Sequence, residues 1–378
     1  MFDNLNLLKI VDGKIFVLQK QELTELIDHN GDEIIDEYRN ICSSWGATSD
    51  FHEYSYGLEY RDGYFYANLG LGMRLMKHEL QDPDRGSVIR IGHKGEFEIV
   101  SFGLRQPNGI GFGTDGELFL SENQGQWVPA CKIIHLREGD FHGCQYGTGD
   151  RYKGMIPTPP AVWLPQDEIG NSPGNPILLK DGPYSGQMIH GEITHGGLKR
   201  IFLEKVNNTY QGCVFRFSQG FEAGINRIVY GPDGGIYIGG VGMNGNWAWE
   251  GKQYGLQKIS YNGKNTFEIL SVRALSDGLI IEFTEPLANR NGDQKKDYNL
   301  SHWRYETTSS YGSPKYDQEA LTIIQLYLSH DTKTVRLRLK ELKEGYVIHI
   351  QLNENITSTS GQKLWSGEAW YTLNNIPL

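Results

Sequence analysis

The chain has 378 residues, 22% of them charged and 38% hydrophobic, a globular composition that excludes an intrinsically disordered chain. The formal net charge of -10 argues against a nucleic-acid partner, which needs a concentrated basic surface, and no apolar run is long enough to predict a membrane span. Cys42, Cys131, Cys144 and Cys213 form no CxxC pair, so neither a redox motif nor a standard zinc site is predicted.

Strand signals begin near the first residue. VDGKIFVL (11–18) sets an Asp-Gly turn before an apolar strand, and YRDGYFYANLG (60–70), GTDGELFLSE (113–122) and GPDGGIYIGG (231–240) repeat the plan. The Asp of each pair falls at 12, 62, 115 and 233, giving intervals of 50, 53 and 118 residues, the last close to two repeats. GQMIHGEI (186–193) is the candidate strand of a degenerate copy in that gap. All-strand repeats of this length read as β-propeller blades, about five units over residues 1–265; unrelated Asp-Gly hairpins in a sandwich are the alternative. No signal peptide is visible. The first unit starts almost at Met1, so the chain is expected to lack an N-terminal portion, including any export signal.

After Gly263 the period changes. TFEILSVRALSDGLIIEFTEPL (266–287), LTIIQLYLS, TVRLRLKEL and GYVIHIQL predict about seven short strands over residues 266–378, the pattern of a small Ig-like β-sandwich. The tyrosines of YETTSSYGSPKYDQE are expected to pack between the two units, with a carbohydrate-facing role as the alternative.

Candidate functional residues precede the blade strands. His52 projects from a loop before the strand at 57–60, where a neutral imidazole suits an alcohol proton, although a structural histidine fits equally. Arg105 and Gln106 precede Pro107, which biases Gln106 toward extended backbone, and Arg105 offers a fork for anionic oxygens or a solvent-facing salt bridge. MIHGEITHGGLKRIFLE (188–204) holds His190, Glu192, His195, Lys199 and Arg200, but its glycines and strand alternation give no helix for a zinc motif. Lys199 and Arg200 alternate across a strand, so at most one reaches a central site. Asn226-Arg227 again precedes a blade strand. Asp28, Asn30, Asp32 and Asp36 are spaced like part of a calcium loop, yet the glycine and the twelfth position fail the EF-hand pattern, which favours a solvated turn. Glu122, with Asn123 and Gln124, is a candidate for Ca²⁺, for a cofactor or for loop capping. Aromatic GNWAWEG (245–251) is a candidate sugar platform. Asp167, Glu168 and Glu192 do not form a pair placed for hydrolase or lyase chemistry.

FGLRQPNGIGFGTDGELFLSENQG (102–125), with the His52 segment and its Asp-Gly strand, resembles the soluble glucose and sorbosone dehydrogenase family, six-bladed propellers that bind pyrroloquinoline quinone (PQQ). The likeness covers residues 1 to about 265. GEITHGGLKRIFLE and FSQGFEAGINRIVYGPDGGIYIGG are similar to a branch of large secreted bacterial proteins in which a small β-domain follows the propeller. The resemblance implies PQQ-dependent oxidation of a sugar or aldose-like alcohol, with His52 as base. Arg105, Gln106, Lys199 and Arg227 would contact the cofactor, and Ca²⁺ would hold it. It also implies a small carbohydrate substrate, an electron acceptor as partner, and a periplasmic or secreted location. Gln106 stands where the family has Asn, which moves the amide by one methylene. A non-catalytic propeller that binds carbohydrate or protein is the competing expectation.

Overall fold

The computed structural model describes residues 7–50, 52–76, 79–242, 252–288 and 291–378; the stretch 245–251 lies outside them. Every regular element among the described residues is a β-strand or a single 3-10 turn, and no helix is long and apolar enough to cross a membrane.

The Asp-Gly pairs close hairpins. Asp12 and Gly13 take φ of 50° and 77°, and Asp62 and Gly63 take 52° and 86°, the primed turn that matches strand twist. Each turn joins the first two strands of an antiparallel meander. The first meander comprises β1 (Leu7–Val11), β2 (Lys14–Leu18), β3 (Leu23–Ile27) and β4 (Glu37–Cys42). The second comprises β5 (Ser55–Arg61), β6 (Tyr64–Leu69), β7 (Ser87–Gly92) and β8 (Phe97–Phe102). The third comprises β9 (Gly109–Phe112), β10 (Leu118–Glu122), β11 (Cys131–His135) and β12 (Val162–Leu164).

The unit expected to be degenerate is a full sheet: β13 (Pro173–Leu178), β14 (Met188–Glu192), β15 (Leu198–Val206) and β16 (Thr209–Ser218). Its first connection still contains Asp181-Gly182, with Gly182 at φ 74°. Inserted residues between that pair and β14 break the short hairpin and mask the repeat. The fifth meander has three strands, β17 (Gly224–Tyr230), β18 (Ile236–Val241) and β19 (Tyr254–Ile259).

First strands of successive sheets pack together in the order β1, β5, β9, β13 and β17. Glycine permits this approach: a Cβ at Gly111 would lie 1.9 Å from Pro176 O, and one at Gly109 would lie 2.3 Å from Asn175 Cα. Side-chain amides stitch the same seam. Asn68 Nδ2 donates to Pro107 O at 3.1 Å, Asn108 Nδ2 to Pro173 O at 2.9 Å, and Asn175 Nδ2 to Ile228 O at 3.0 Å. The glycine-dense run at 102–125 therefore turns into a strand because that strand is clamped between two neighbours. The whole is all-β and propeller-like, with five such sheets among the described residues.

Residues after 265 add β20 (Ile269–Leu275), β21 (Gly278–Phe283), β22 (Tyr298–Arg304), β23 (Tyr316–Ala320), β24 (Ile323–Leu328), β25 (Thr334–Leu339), β26 (Tyr346–Leu352) and β27 (Glu368–Leu373). These are eight strands where about seven were expected; the mostly exposed β23 has no apolar alternation to announce it. One sheet runs β20-β21-β25-β24. The other, β27-β26-β22-β23, is not separate: β27 pairs with β16, with Cys213 opposite Tyr371, so an eight-stranded sheet runs on from the fourth meander. Phe202, Cys213 and Phe215 join Val272, Leu279, Phe283, Leu337, Ile348 and Ile350 in one core between the faces.

A buried ion pair fixes the same junction. Arg200 Nη2 lies 3.2 Å from Glu268 Oε2, both side chains almost wholly buried, and the guanidinium is sandwiched 4.5 Å from the Tyr184 ring and 4.3 Å from Phe215. Arg200 Nη1 and Nη2 also donate to Leu270 O at 2.9 Å and Ile269 O at 2.5 Å.

Candidate functional site

A cavity of about 880 Å³ opens where the loops entering β5, β9 and β13 meet strand β17, which carries Asn226 and Arg227 within it rather than before it. His52, Arg105, Gln106 and Arg227 all line it, together with Tyr54, Tyr56, Asn108 and Asn226. Lys199 is not among the lining residues. Its ammonium is buried behind the wall and donates to Gly196 O at 3.2 Å, and burial pulls its pKa down to about 8. Arg200, on the opposite strand face, is committed to Glu268.

Carboxylates behind the wall shape two of the entering loops. Glu122 ends β10, is fully buried, and accepts the backbone N–H of Arg105 at 2.9 Å, Gln106 at 2.8 Å and Asn123 at 3.1 Å. Glu192 ends β14 and does the same for Asn171 at 3.0 Å, Ser172 at 2.7 Å and Thr194 at 3.1 Å. A carboxylate bonded three times to main-chain donors fixes loop geometry, and this is what Glu122 does here. Loop capping was one of the roles the sequence offers for Glu122, beside Ca²⁺; the equivalent role of Glu192 was not foreseen. The available signal was a Glu closing the second strand of the third and fourth units, in SENQG and in GEITHGG.

Asp28, Asn30, Asp32 and Asp36 lie in the exposed β3–β4 turn and do not line the cavity. Asp28 accepts the backbone N–H groups of Asn30, Gly31 and Glu33, Asp32 that of Ile34, and Asp36 that of His29. No group of three or more His, Cys, Asp and Glu side chains is placed to share a metal among the described residues. His190 is buried in β14 with Nδ1 2.8 Å from Gly191 O, and burial holds its pKa down to about 4.

The cavity electrostatics follow from desolvation. His52 is half-buried and packs edge-on to Tyr54, ring centroids 5.5 Å apart, with its backbone N–H bonded to Asp50 Oδ1 at 2.8 Å. Burial lowers its imidazole below the ordinary value of 6.5, with the nearby charges of Arg105 and Arg74 adding to the effect, so the ring is neutral at pH 7. Arg105 donates through Nε to Gln126 Oε1 at 3.2 Å and through Nη1 to Gln124 O at 3.1 Å, leaving Nη2 without a protein acceptor among the described residues. A Cβ on Gly125 would sit 2.0 Å from Arg105 Nε, so a larger residue there would displace the guanidinium from its present position. Arg227 Nη1 donates to Asn226 Oδ1 at 2.7 Å and Asn108 Oδ1 at 3.0 Å, and desolvation lowers its pKa to about 10. Neither arginine has a carboxylate within ion-pair distance among the described residues. The Gln106 amide is spent inside the protein, accepting from Tyr56 Oη and donating to Leu71 O at 2.6 Å.

The far wall carries Asp167, at a left-handed φ of 60°, which accepts from Asn171 Nδ2 at 2.8 Å and lies 3.2 Å from His195 Nε2. Tyr311 reaches the cavity from the segment between β22 and β23, its ring 5.3 Å from the Arg105 guanidinium. The tyrosine cluster was expected to pack between units; Tyr311 does that and also faces the cavity. Such a site can hold an anionic or hydroxylated small molecule and accept a proton from it.

No protein-family model matches the chain, and no curated protein matches it. Among solved structures it is similar to a glucose dehydrogenase, at 15% identity over 68% of this chain and 77% of that one, with a TM-score of 0.47. It is also similar to the PQQ-bound form of an aldose sugar dehydrogenase from Streptomyces coelicolor, at 14% identity over 68% and 96% of the chains, TM-score 0.40. A third likeness, to the extracellular domain of a protein from B. thetaiotaomicron described as a one-component system, spans 99% of this chain and 51% of that one at 10% identity and TM-score 0.29.

Proposed function

We propose that the cavity is the active site of an oxidoreductase that oxidises a sugar or aldose-like alcohol with PQQ, and that residues 1–265 form a propeller of the six-bladed type followed by an Ig-like unit at 266–378. One observation carries this reading. A neutral, desolvated imidazole shares a cavity with two guanidiniums that have no carboxylate partner among the described residues. Uncompensated guanidinium charge is costly to desolvate, and an anionic ligand repays that cost.

The donor set fits the carboxylates of PQQ. Arg227 would hold one from the fifth meander, and Arg105 Nη2 would hold another from the third. PQQ, when bound, supplies a two-electron acceptor for hydride. The residues of the chain do the rest. His52 takes the proton of the substrate hydroxyl at an imidazole nitrogen, which its depressed pKa keeps unprotonated. Tyr56 keeps its own proton, because burial pushes the phenol well up, and donates its O–H in a hydrogen bond to Gln106 Oε1. Glu122 holds the Arg105 loop so that the fork needs no reorganisation on binding. Gln106 and Lys199 are bonded inward and would not touch the cofactor. Glu122 is already spent on main-chain N–H groups, so a calcium ion would have to draw on Asp167, backbone carbonyls and side-chain amides. The resemblance is in keeping with a periplasmic or secreted protein that passes electrons to a separate acceptor.

Dye reduction over a panel of sugars, with PQQ and Ca²⁺ added, tests the reading: turnover is expected in the intact protein and is lost in His52→Ala with an unchanged melting temperature. Inactivity across the panel, or an active His52→Ala, overturns it. A second reading, non-catalytic binding of carbohydrate or protein, is favoured by one observation, the inward commitment of Gln106 and Lys199.

A further inference from the structure

The cavity has a wall that does not come from the propeller-like sheets. The loop leaving β22 crosses to the loop between β10 and β11 and is bonded to it along the main chain. Trp127 N donates to Thr308 O at 2.9 Å, Gly312 N to Gly125 O at 3.0 Å, and Ser313 N to Pro129 O at 3.0 Å. Gly312, at φ 71°, permits the crossing; a Cβ there would lie 2.7 Å from Gln124 Nε2. These bonds present Tyr311 at the mouth. One side of its ring is set against Arg105 at 5.3 Å, and the residue is still 64% exposed. A large aromatic ring held on a bonded loop, resting on a cation and open elsewhere, is a platform awaiting a second surface.

A second observation shows what that surface carries. Asn123 lines the same cavity, and its side-chain amide neither donates nor accepts among the described residues; its Oδ1 is buried without a partner. Amides in such positions are ordinarily satisfied, so an uncommitted one beside an open ring calls for a ligand with hydroxyl groups. The neighbouring lining residues Gln124, Gln166 and Asn171 are likewise neutral amides.

We propose that Tyr311 and Asn123 form a subsite for a neutral sugar ring, whose C–H face packs on the tyrosine while its hydroxyls accept from Asn123 Nδ2. The segment after residue 265 is then part of the substrate site. This rests on the reading of the cavity as a carbohydrate site and deepens it by naming where the ring lies. Arg227 and Arg105 are left to the anionic cofactor.

The test is saturation-transfer NMR with D-glucose and D-xylose on the full chain without cofactor, alongside dye-reduction kinetics with PQQ. Both sugars are expected to give signals with the wild type, retained in Tyr311→Phe and lost in Tyr311→Ala and Asn123→Leu. Both Tyr311 variants should keep the parent melting temperature, since the Tyr311 ring is mostly solvent-facing. In turnover, Tyr311→Ala should raise KM about tenfold, equivalent to about 1.4 kcal/mol, with kcat unchanged. Sugar signals without any dye reduction would sustain the subsite and remove the redox reading. Dye reduction with the same KM in all three variants would sustain the redox reading and remove the subsite. Absence of any sugar signal with the wild type would also overturn the subsite.

Discussion

Arg227 Nη1 donates to Asn108 Oδ1 at 3.0 Å, so a cation on the fifth meander is held by an amide from the third. The same Asn108 donates through Nδ2 to Pro173 O on the fourth. Three sheets thus converge on one guanidinium, and its remaining electrostatic demand is turned to the cavity. Benzene-1,3,5-tricarboxylate, a planar tricarboxylate without redox chemistry, should raise the melting temperature of the wild type. At a hundredfold excess over its Kd the gain is about 2.7 kcal/mol. Arg227→Gln should abolish the gain in a thermal-shift titration; an equal rise in the variant would show that the arginine does not meet the anion.

The pH profile of turnover follows from His52. The proposed base works unprotonated, and its pKa is lowered by burial, so kcat/KM should already be past the midpoint of its acid limb at the ordinary imidazole value of 6.5. The acid limb lies lower. His52→Asn should lose about 10²–10⁴-fold in kcat and the limb with it. An acid limb centred above 6.5 would assign the proton to another group.

Acid stability follows from His190. In the folded chain its pKa is held down to about 4, whereas the unfolded chain takes up the proton near 6.5. Stability is therefore full above 6.5 and falls as pH drops toward 4, by up to about 1.4 kcal/mol per unit. His142, lowered to about 3, acts in the same direction. His190→Gln should flatten the difference between urea midpoints measured at pH 7 and pH 5; an unchanged difference would place the acid sensitivity elsewhere.

The Arg200–Glu268 pair ties the fourth meander to the strands after it. Glu268→Ala leaves a buried guanidinium without its carboxylate and should cost about 3–5 kcal/mol in chemical denaturation. Arg200→Met with Glu268→Leu should recover most of that loss. A double variant no better than the single would mean that hydrogen bonds to Leu270 O and Ile269 O, not the ion pair, hold the junction.

Much of the fold was legible because Asp-Gly turns are local. Residues 12–13 and 62–63 announce their hairpins through backbone φ alone. The fourth turn, at Asp181-Gly182, escaped because inserted residues separate it from β14. The pairing of β16 with β27 was invisible, since Cys213 and Tyr371 meet across a sequence gap that no periodicity encodes. In the cavity, His52 and Arg105 were legible from their place before a first strand, whereas Arg227, expected before a strand, lies inside β17. Lys199 was not excluded, because burial behind the wall is a tertiary fact. Tyr311 acts through Arg105, far along the chain, so its cavity role needed the structure.

The central claim is that two guanidiniums from different sheets hold one anionic cofactor. Equilibrium titration of the protein with PQQ, followed by quenching of intrinsic fluorescence, addresses it most directly and needs no substrate. Saturable one-to-one binding is expected in the wild type, weakened at least about tenfold in each of Arg105→Ala and Arg227→Ala and undetectable in the double variant. Binding of equal strength in all four proteins would contradict it.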